Sequence, residues 1–206
     1  MARWEPDARG RLEKAAMELF QKRGYVQTTV EEIAAHAGLT ERTFFRYFSD
    51  KREVLFSGSK GLEKTIVERI DGAARDTRPL EVVVSAMEAA GAELQALRDL
   101  DYVRARYALV SKHAELQERE LIKLSSLALA VTRALHARGV AEPAASLAAE
   151  AGIAVFKIGF ERWVREGKPS EFAAHVREAA VALAELTGTP ERASKRAQGR
   201  RLERGE

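Results

Sequence analysis

Apolar residues return every three or four positions along almost the whole chain, and no stretch alternates apolar with polar as a half-buried strand would. Leu12, Ala15, Ala16, Leu19 and Phe20 form the first such series, and Val30, Ile33, Ala34 and Ala37 the next. The five prolines, Pro6, Pro79, Pro143, Pro169 and Pro190, each stand where a helix would begin or after one would end. This rhythm and punctuation predict an all-α fold. Its 206 residues suffice for one mid-sized domain and a small one, and 46% hydrophobic content excludes disorder over most of the length. Without a single cysteine, the chain can hold no disulfide, thiolate zinc site, iron–sulfur cluster or cysteine nucleophile, which fits a reducing compartment. The opening residues carry no apolar leader and no run of about 18 apolar residues follows, so a cytoplasmic protein is expected, with no membrane partner.

Charge alone says little about partners. Residues 1–56 hold 10 basic and 9 acidic side chains, residues 57–187 hold 18 and 19, and residues 188–206 hold 6 and 3. The overall +3 therefore sits in the last segment, and a nucleic-acid role must rest on where individual basic side chains are placed. That last segment has one leucine and no aromatic residue, and reads as a disordered basic tail.

Local signals divide the rest into about nine helices. The first is expected over 7–23, with Gly24 ending it in the left-handed conformation. Thr29 and Glu32 form a Thr-x-x-Glu capping box that opens a second helix ending at Ala37 and Gly38. Thr40 caps a short third helix reaching Tyr47, and Asp50 with Glu53 reads as another capping box, opening a long fourth helix to about residue 72. Within it, Gly58-Ser59-Lys60-Gly61 is a weak stretch and a hinge candidate. Five longer, alanine-rich helices follow over 79–97, 100–112, 115–138, 143–167 and 170–187. The domains expected are thus 1–56, 57–187 and the tail 188–206.

Residues 29–48 read as helix, tight glycine turn, helix. A helix-turn-helix lays its second helix in the major groove of DNA, which admits one helix if its outer face is clear. Leu39, Phe44 and Phe48 are spaced to pack inward on Ile33, Ala34 and Leu19, leaving Glu41, Arg42, Thr43, Phe45 and Arg46 outward. An outward Phe45 beside Arg42, Arg46, Tyr47 and Lys51 suits a surface that meets sugar, phosphate or a thymine methyl; a partly buried aromatic is the plainer alternative.

At these spacings the chain resembles the tetracycline-repressor-like (TetR) regulators. The matching elements are Leu19-Phe20-x-x-x-Gly24-Tyr25, then Thr28-Thr29-Val30-x-x-Ile33-Ala34-x-x-Ala37-Gly38-Leu39-Thr40-x-x-Thr43-Phe44-Phe45-x-Tyr47-Phe48-x-x-Lys51-x-x-Leu55, about a quarter of the chain. The resemblance implies Thr29 and Thr40 as phosphate contacts, Arg42, Thr43 and Phe45 as the base-facing set with Arg46 beside them, and Tyr47 and Lys51 as clamps on the DNA backbone. Arg42 departs from the small residue common there in the family; it suits guanine or a phosphate.

The remainder resembles the family only in length and helical content. By resemblance it would dimerise through its last two helices and hold a small effector, whose binding would release a repressor from a palindromic operator. Leu147, Ala151, Val155, Ile158, Val176 and Leu183 are the candidate dimer residues, with intramolecular core as the alternative for each. Met87, Tyr102, Arg106, Tyr107, His113, Phe156, Phe160 and Trp163 are the candidate pocket residues, with ordinary packing as the alternative. An inward Arg106 lacking a carboxylate would call for an anionic effector. None of the four histidines follows a glutamate by three residues, and neither His-Glu-x-x-His nor a phosphate-cradling glycine loop occurs. No metal, cofactor or catalytic residue is therefore expected, although a helical-bundle enzyme and an adaptor dimer without a pocket remain as alternatives.

Overall fold

The computed structural model describes residues 7–168 and 171–188. Among these residues it is helical throughout, with nine α-helices and one 3₁₀ turn. Three short helices, α1 (Ala8–Arg23), α2 (Val30–His36) and α3 (Glu41–Tyr47), form an amino-terminal unit. The 3₁₀ turn Glu53–Phe56 leads into α4 (Ser59–Gly72), then α5 (Pro79–Leu97), α6 (Leu100–Lys112), α7 (Ala114–Ala137), α8 (Ala144–Glu166) and α9 (Phe172–Thr187). The tail expected over 188–206 lies outside the described residues except for Gly188.

Two apolar cores organise these elements. The smaller gathers Leu12, Phe20, Tyr25, Ile33 and Phe44, and it also takes in Val110 from the end of α6 and Leu116 from the start of α7. The larger joins α4, α5, α7, α8 and α9 around residues such as Ile66, Met87, Val131 and Trp163. The α6–α7 corner therefore belongs to the amino-terminal core, the body of α7 belongs to the other, and α6 packs on both, with Ala105 and Leu109 on the smaller core and Leu100 and Val103 in the larger. Burying a side chain the size of Phe44 contributes about 2 kcal/mol, so this corner couples the two units through packing as well as through the chain.

One expected helix is divided. Asp50 accepts from the backbone amides of Arg52 and Glu53, but the Glu53 carboxylate does not return to close a capping box. It turns instead to Arg119 and Lys123 on α7. With its reciprocal bond diverted, the segment makes only the 3₁₀ turn before Gly58, and α4 starts at Ser59. Lys51 consequently precedes the turn rather than occupying the first turn of a long helix. Gly24 does close α1, at φ 87° and ψ 153°, a positive φ open to glycine but not the left-handed helical one expected.

Candidate nucleic-acid interface

The turn between α2 and α3 is held by polar groups that serve the backbone. Thr29 Oγ1 accepts from the Glu32 amide at 3.1 Å, and Glu32 Oε2 accepts from the Thr29 amide at 3.0 Å. Arg23 donates to the same carboxylate at 2.6 Å, and hydrogen bonding from the Thr29 amide, with Arg23 adding its charge, holds Glu32 below the usual carboxylate range. Gly38, at φ 66°, donates to Ala35 O at 2.9 Å, and Leu39 donates to Ala34 O at 2.8 Å. This pairing is the glycine-closed helix end that a residue with a Cβ would strain. Arg11 reaches from α1 to the Ala37 carbonyl and braces the same turn. Thr40 Oγ1 accepts from the Thr43 amide at 3.2 Å and so starts α3.

Helical geometry then sorts the seven residues of α3. Phe44 is 0% exposed and is seated against Phe48, ring centroids 5.4 Å apart. At 100° per residue, Arg42 and Arg46 project opposite Phe44, Glu41 and Phe45 share one flank, and Thr43 and Tyr47 share the other. Arg42, Phe45, Arg46 and Tyr47 are all exposed in the full chain, and Thr43 is half-buried. Phe45 is 54% exposed, a large apolar surface facing water on one flank of this face. The Arg46 guanidinium lies 4.9 Å from the Tyr47 ring centroid and donates to its hydroxyl at 3.2 Å, so the two form one stacked unit. Thr29 and Thr40 flank the face, exposed, with hydroxyl oxygens that accept from backbone amides and a proton each to donate.

The segment that carries this face, two outward arginines, an uncovered phenyl ring and flanking hydroxyls on a helix-turn-helix, lies within the range matched by comparison with known proteins. Residues 12–57 fit the model of the bacterial regulatory proteins, tetR family. Over this segment the chain is similar to the TetR family of regulators. It is 33% identical over 81 residues to the HTH-type transcriptional regulator TcmR of Streptomyces glaucescens, covering 39% of this chain and 36% of that protein. The chain thus spans about a third of that curated relative's length. Among solved structures it resembles Thermus thermophilus FadR, a TetR-family transcriptional repressor in complex with lauroyl-CoA, with TM-score 0.54 and 24% identity over 89% of this chain and 96% of that one. It also resembles the triclosan complex of SmeT, the repressor of a Stenotrophomonas maltophilia multidrug efflux pump, with TM-score 0.56 and 18% identity over 85% and 90% of the two chains. Among the described residues no helix is long and apolar enough to cross a membrane.

Lys51 stands apart from the other TetR-type positions. Its ammonium donates to the carbonyls of Tyr25, Val26 and Thr28 at 2.9, 3.2 and 3.0 Å and lies 4.5 Å from the Tyr25 ring centroid. It ties down the loop between α1 and α2, since three carbonyls around one ammonium satisfy all of its donors.

Behind the TetR-type domain lies a charge cluster that sequence reading missed. Glu53 accepts from Arg119 and sits 3.6 Å from Lys123, and the Arg119 hydrogen bond holds its carboxyl below the usual carboxylate range. Lys123 also donates to Phe56 O at 3.2 Å, and burial lowers its ammonium from the ordinary lysine value. Arg106 donates to Leu55 O at 2.6 Å and to Glu120 at 2.8 Å. On the far side, the buried Glu13 of α1 accepts from Arg98, whose guanidinium covers the Tyr102 ring. The legible part of this signal was Arg119 and Lys123, four apart on one face of α7.

These contacts redistribute the expected pocket residues of the larger helical domain. Arg106, Tyr102 and His113 belong to the joint: Arg106 is paired with a carboxylate, so the condition for an anionic effector is not met, and the His113 ring lies 5.1 Å from that of Tyr25. Met87, Tyr107, Phe156, Phe160 and Trp163 do gather in the larger core. Tyr107 meets Phe160 edge-on at 6.1 Å, and Trp163 meets Phe172 at 5.0 Å while donating to Lys168 O. Phe172 was the missed member, visible only as an apolar residue opening the last helix.

The expected dimer residues split as well. Leu147 and Ile158 are 66% and 52% exposed, and with Ala151 and Ala154 they follow a spacing of four, three and four along α8. Val155 and Val176 are 2% and 0% exposed inside the protomer, Val155 within the larger core and Val176 in the seam where Gly159 lets α9 approach α8 closely. They cannot meet a second chain. Leu183 is half-buried against the core, and Val181 and Leu186 are the exposed apolar residues of α9 instead.

Proposed function

We propose that this TetR-like protein is a homodimeric transcriptional repressor of the cytoplasm, reading a palindromic operator with α3 and leaving it when a small apolar effector enters the carboxy-terminal domain. The reading rests on the outward face of α3: Arg42, Phe45, Arg46 and Tyr47 are uncovered while their neighbour Phe44 anchors the helix. Arg42, Thr43, Phe45 and Arg46 would meet base edges and sugar, and Thr29, Thr40 and Tyr47 the flanking phosphates. Residues 1–56 act as the DNA-binding unit and 57–187 as the regulatory one. One short helix contacts few bases, so two copies with reading helices about 34 Å apart are needed for useful specificity. The apolar row of exposed Leu147, half-buried Ala151 and exposed Ala154 and Ile158, with Val181 and Leu186 alongside, is the face through which the copies join.

An effector would settle among Met87, Tyr107, Phe156, Phe160 and Trp163. The cations bordering that region are already bonded, Arg104 to Val164 O and Gly167 O and Arg106 to Leu55 O and Glu120. A neutral, apolar molecule therefore fits better than an anion. Complexes of FadR with lauroyl-CoA and of SmeT with triclosan support a ligand-holding role for a domain of this fold. Tyr107 touches the aromatic group and its neighbour Arg106 touches the DNA-binding unit, so a shift of α6 would alter the spacing of the reading helices. Moving the operator from mostly bound to mostly free needs roughly 3 to 5 kcal/mol of differential affinity.

The test is a gel-shift titration on the inverted repeat nearest the gene, with wild type and with Thr43→Ala combined with Phe45→Ala. Loss of the shifted band in the double variant is expected; equal affinity would contradict the placement of α3 in the groove.

A further inference from the structure

The two flanks of α3 differ chemically. Thr43 and Tyr47 carry hydroxyls, able to donate to a base acceptor or to a phosphate oxygen. Glu41 and Phe45, one turn apart on the other flank, offer phosphate nothing: a carboxylate is repelled by it and a phenyl ring has no donor. Both are exposed in the full chain. Of the other carboxylates around the helix-turn-helix, Glu32 is paired with Arg23, Glu18 with Lys14 and Asp50 with Arg52, while Glu31 is unpaired among the described residues but lies on α2, off the reading helix. Glu41 carries no ion pair among the described residues.

From this asymmetry, and resting on the DNA-binding reading above, we propose that the Glu41–Phe45 flank faces base edges and that Glu41 determines specificity by accepting a hydrogen bond from a cytosine amino group. In the major groove only the cytosine N4 and adenine N6 amino groups donate, and a lone carboxylate pairs with the former, whereas adenine presents an acceptor, N7, beside its donor. Phe45 on the same flank packs on a thymine methyl. The two residues are separated by about 6 Å along the helix axis, roughly two base-pair steps, so the half-site carries a cytosine and a thymine one to two pairs apart. A negative charge here weakens binding to arbitrary sequence and so sharpens the preference for sites that satisfy it.

The experiment is selection from a palindromic library with randomised half-sites, using the full chain as wild type, Glu41→Ala, Glu41→Gln and Phe45→Ala, each checked for an unchanged melting curve. Wild type should enrich cytosine at one half-site position by about tenfold over the other bases. Glu41→Ala should accept all four bases there while keeping the thymine preference nearby. Glu41→Gln, whose amide both donates and accepts, should shift the preference at that position towards adenine. Phe45→Ala should lose the thymine and keep the cytosine. Wild-type base preferences retained in Glu41→Ala would overturn the assignment while leaving DNA binding intact. A wild-type chain that enriches no sequence would sink the DNA-binding reading beneath it.

Discussion

Two sets of basic side chains border the amino-terminal unit, its own on α3 and those that the larger domain brings to the joint, and their surroundings could hardly differ more. On α3, Arg42 and Arg46 project into solvent, with only a neighbouring tyrosine holding one of them. At the joint with the larger domain, Arg98, Arg106, Arg119 and Lys123 each have a carboxylate from another part of the chain. A folded chain keeps long cations free where an external anion completes them and pairs them where burial would otherwise strand them. Net charge does not reveal this division, because a paired cation and a free one count alike and the joint's cations lie in residues 57–187.

The largest effect expected from breaking the contrast is on the free side. Replacing Arg42 and Arg46 by alanine together should weaken operator binding at least a hundredfold, about 3 kcal/mol, and lower the slope of log affinity against log salt by about 1.8 if both meet phosphates. A slope lowered by less, with sequence preference relaxed, would assign one of them to a base. Melting should be unaffected, because neither side chain supports the core.

Next in size is a change that reaches neither set of cations. A Cβ on Gly159 would stand 2.9 Å from the backbone of Val176, so Gly159→Ala must push α9 from α8. A loss of roughly 2 kcal/mol is expected, or a fall in melting temperature of several degrees for a chain of this size. The apolar row on α8 would be displaced with it, and sedimentation should report a weaker dimer. An unchanged melting temperature would mean that the seam between the two helices is looser than described.

On the paired side, Glu53→Gln should cost about 1 to 2 kcal/mol, since it leaves Arg119 and Lys123 without their shared carboxylate. The pH dependence has a definite sign. Glu53 titrates below its ordinary 4.5 in the folded protein, so its contribution is present above that pH and disappears as pH falls through the lowered folded value. Acid titration of stability should therefore be steeper below about 4.5 in wild type than in Glu53→Gln. Parallel curves would contradict the ion pair.

What the sequence disclosed follows the same division. Helix starts and stops depend on residues a few positions apart, and Thr29, Thr40, Gly38 and Pro79 marked them in plain view. The outward face of α3 was legible because period and anchor lie within seven residues. Glu53 was misread because two rules competed for one carboxylate: its local role as a capping-box partner lost to Arg119, 66 positions away, which no local pattern reveals. Arg106, Tyr102 and His113 were likewise assigned to a pocket on their chemistry, whereas the α6–α7 corner, a matter of how two cores share one turn, takes them to the joint. Val176 shows the limit for helix faces: an apolar stripe does not say which of its residues a glycine opposite will draw inward.

Lys51 gives the smallest effect and the finest distinction, because family resemblance puts it with the free cations and its geometry with the paired ones. If its ammonium holds the carbonyls of Tyr25, Val26 and Thr28, then Lys51→Met should lower stability by about 1 kcal/mol while leaving the salt slope of operator binding within experimental error of wild type. A phosphate clamp behaves in the opposite way, with melting unchanged and a slope reduced by about 0.9. Both changes together would describe a lysine that releases its carbonyls when DNA arrives, in which case the α1–α2 loop should lose amide-exchange protection on binding. The contrast between the two sets would then be a property of the free protein, and this one cation would pass from the paired set to the free set as the complex forms.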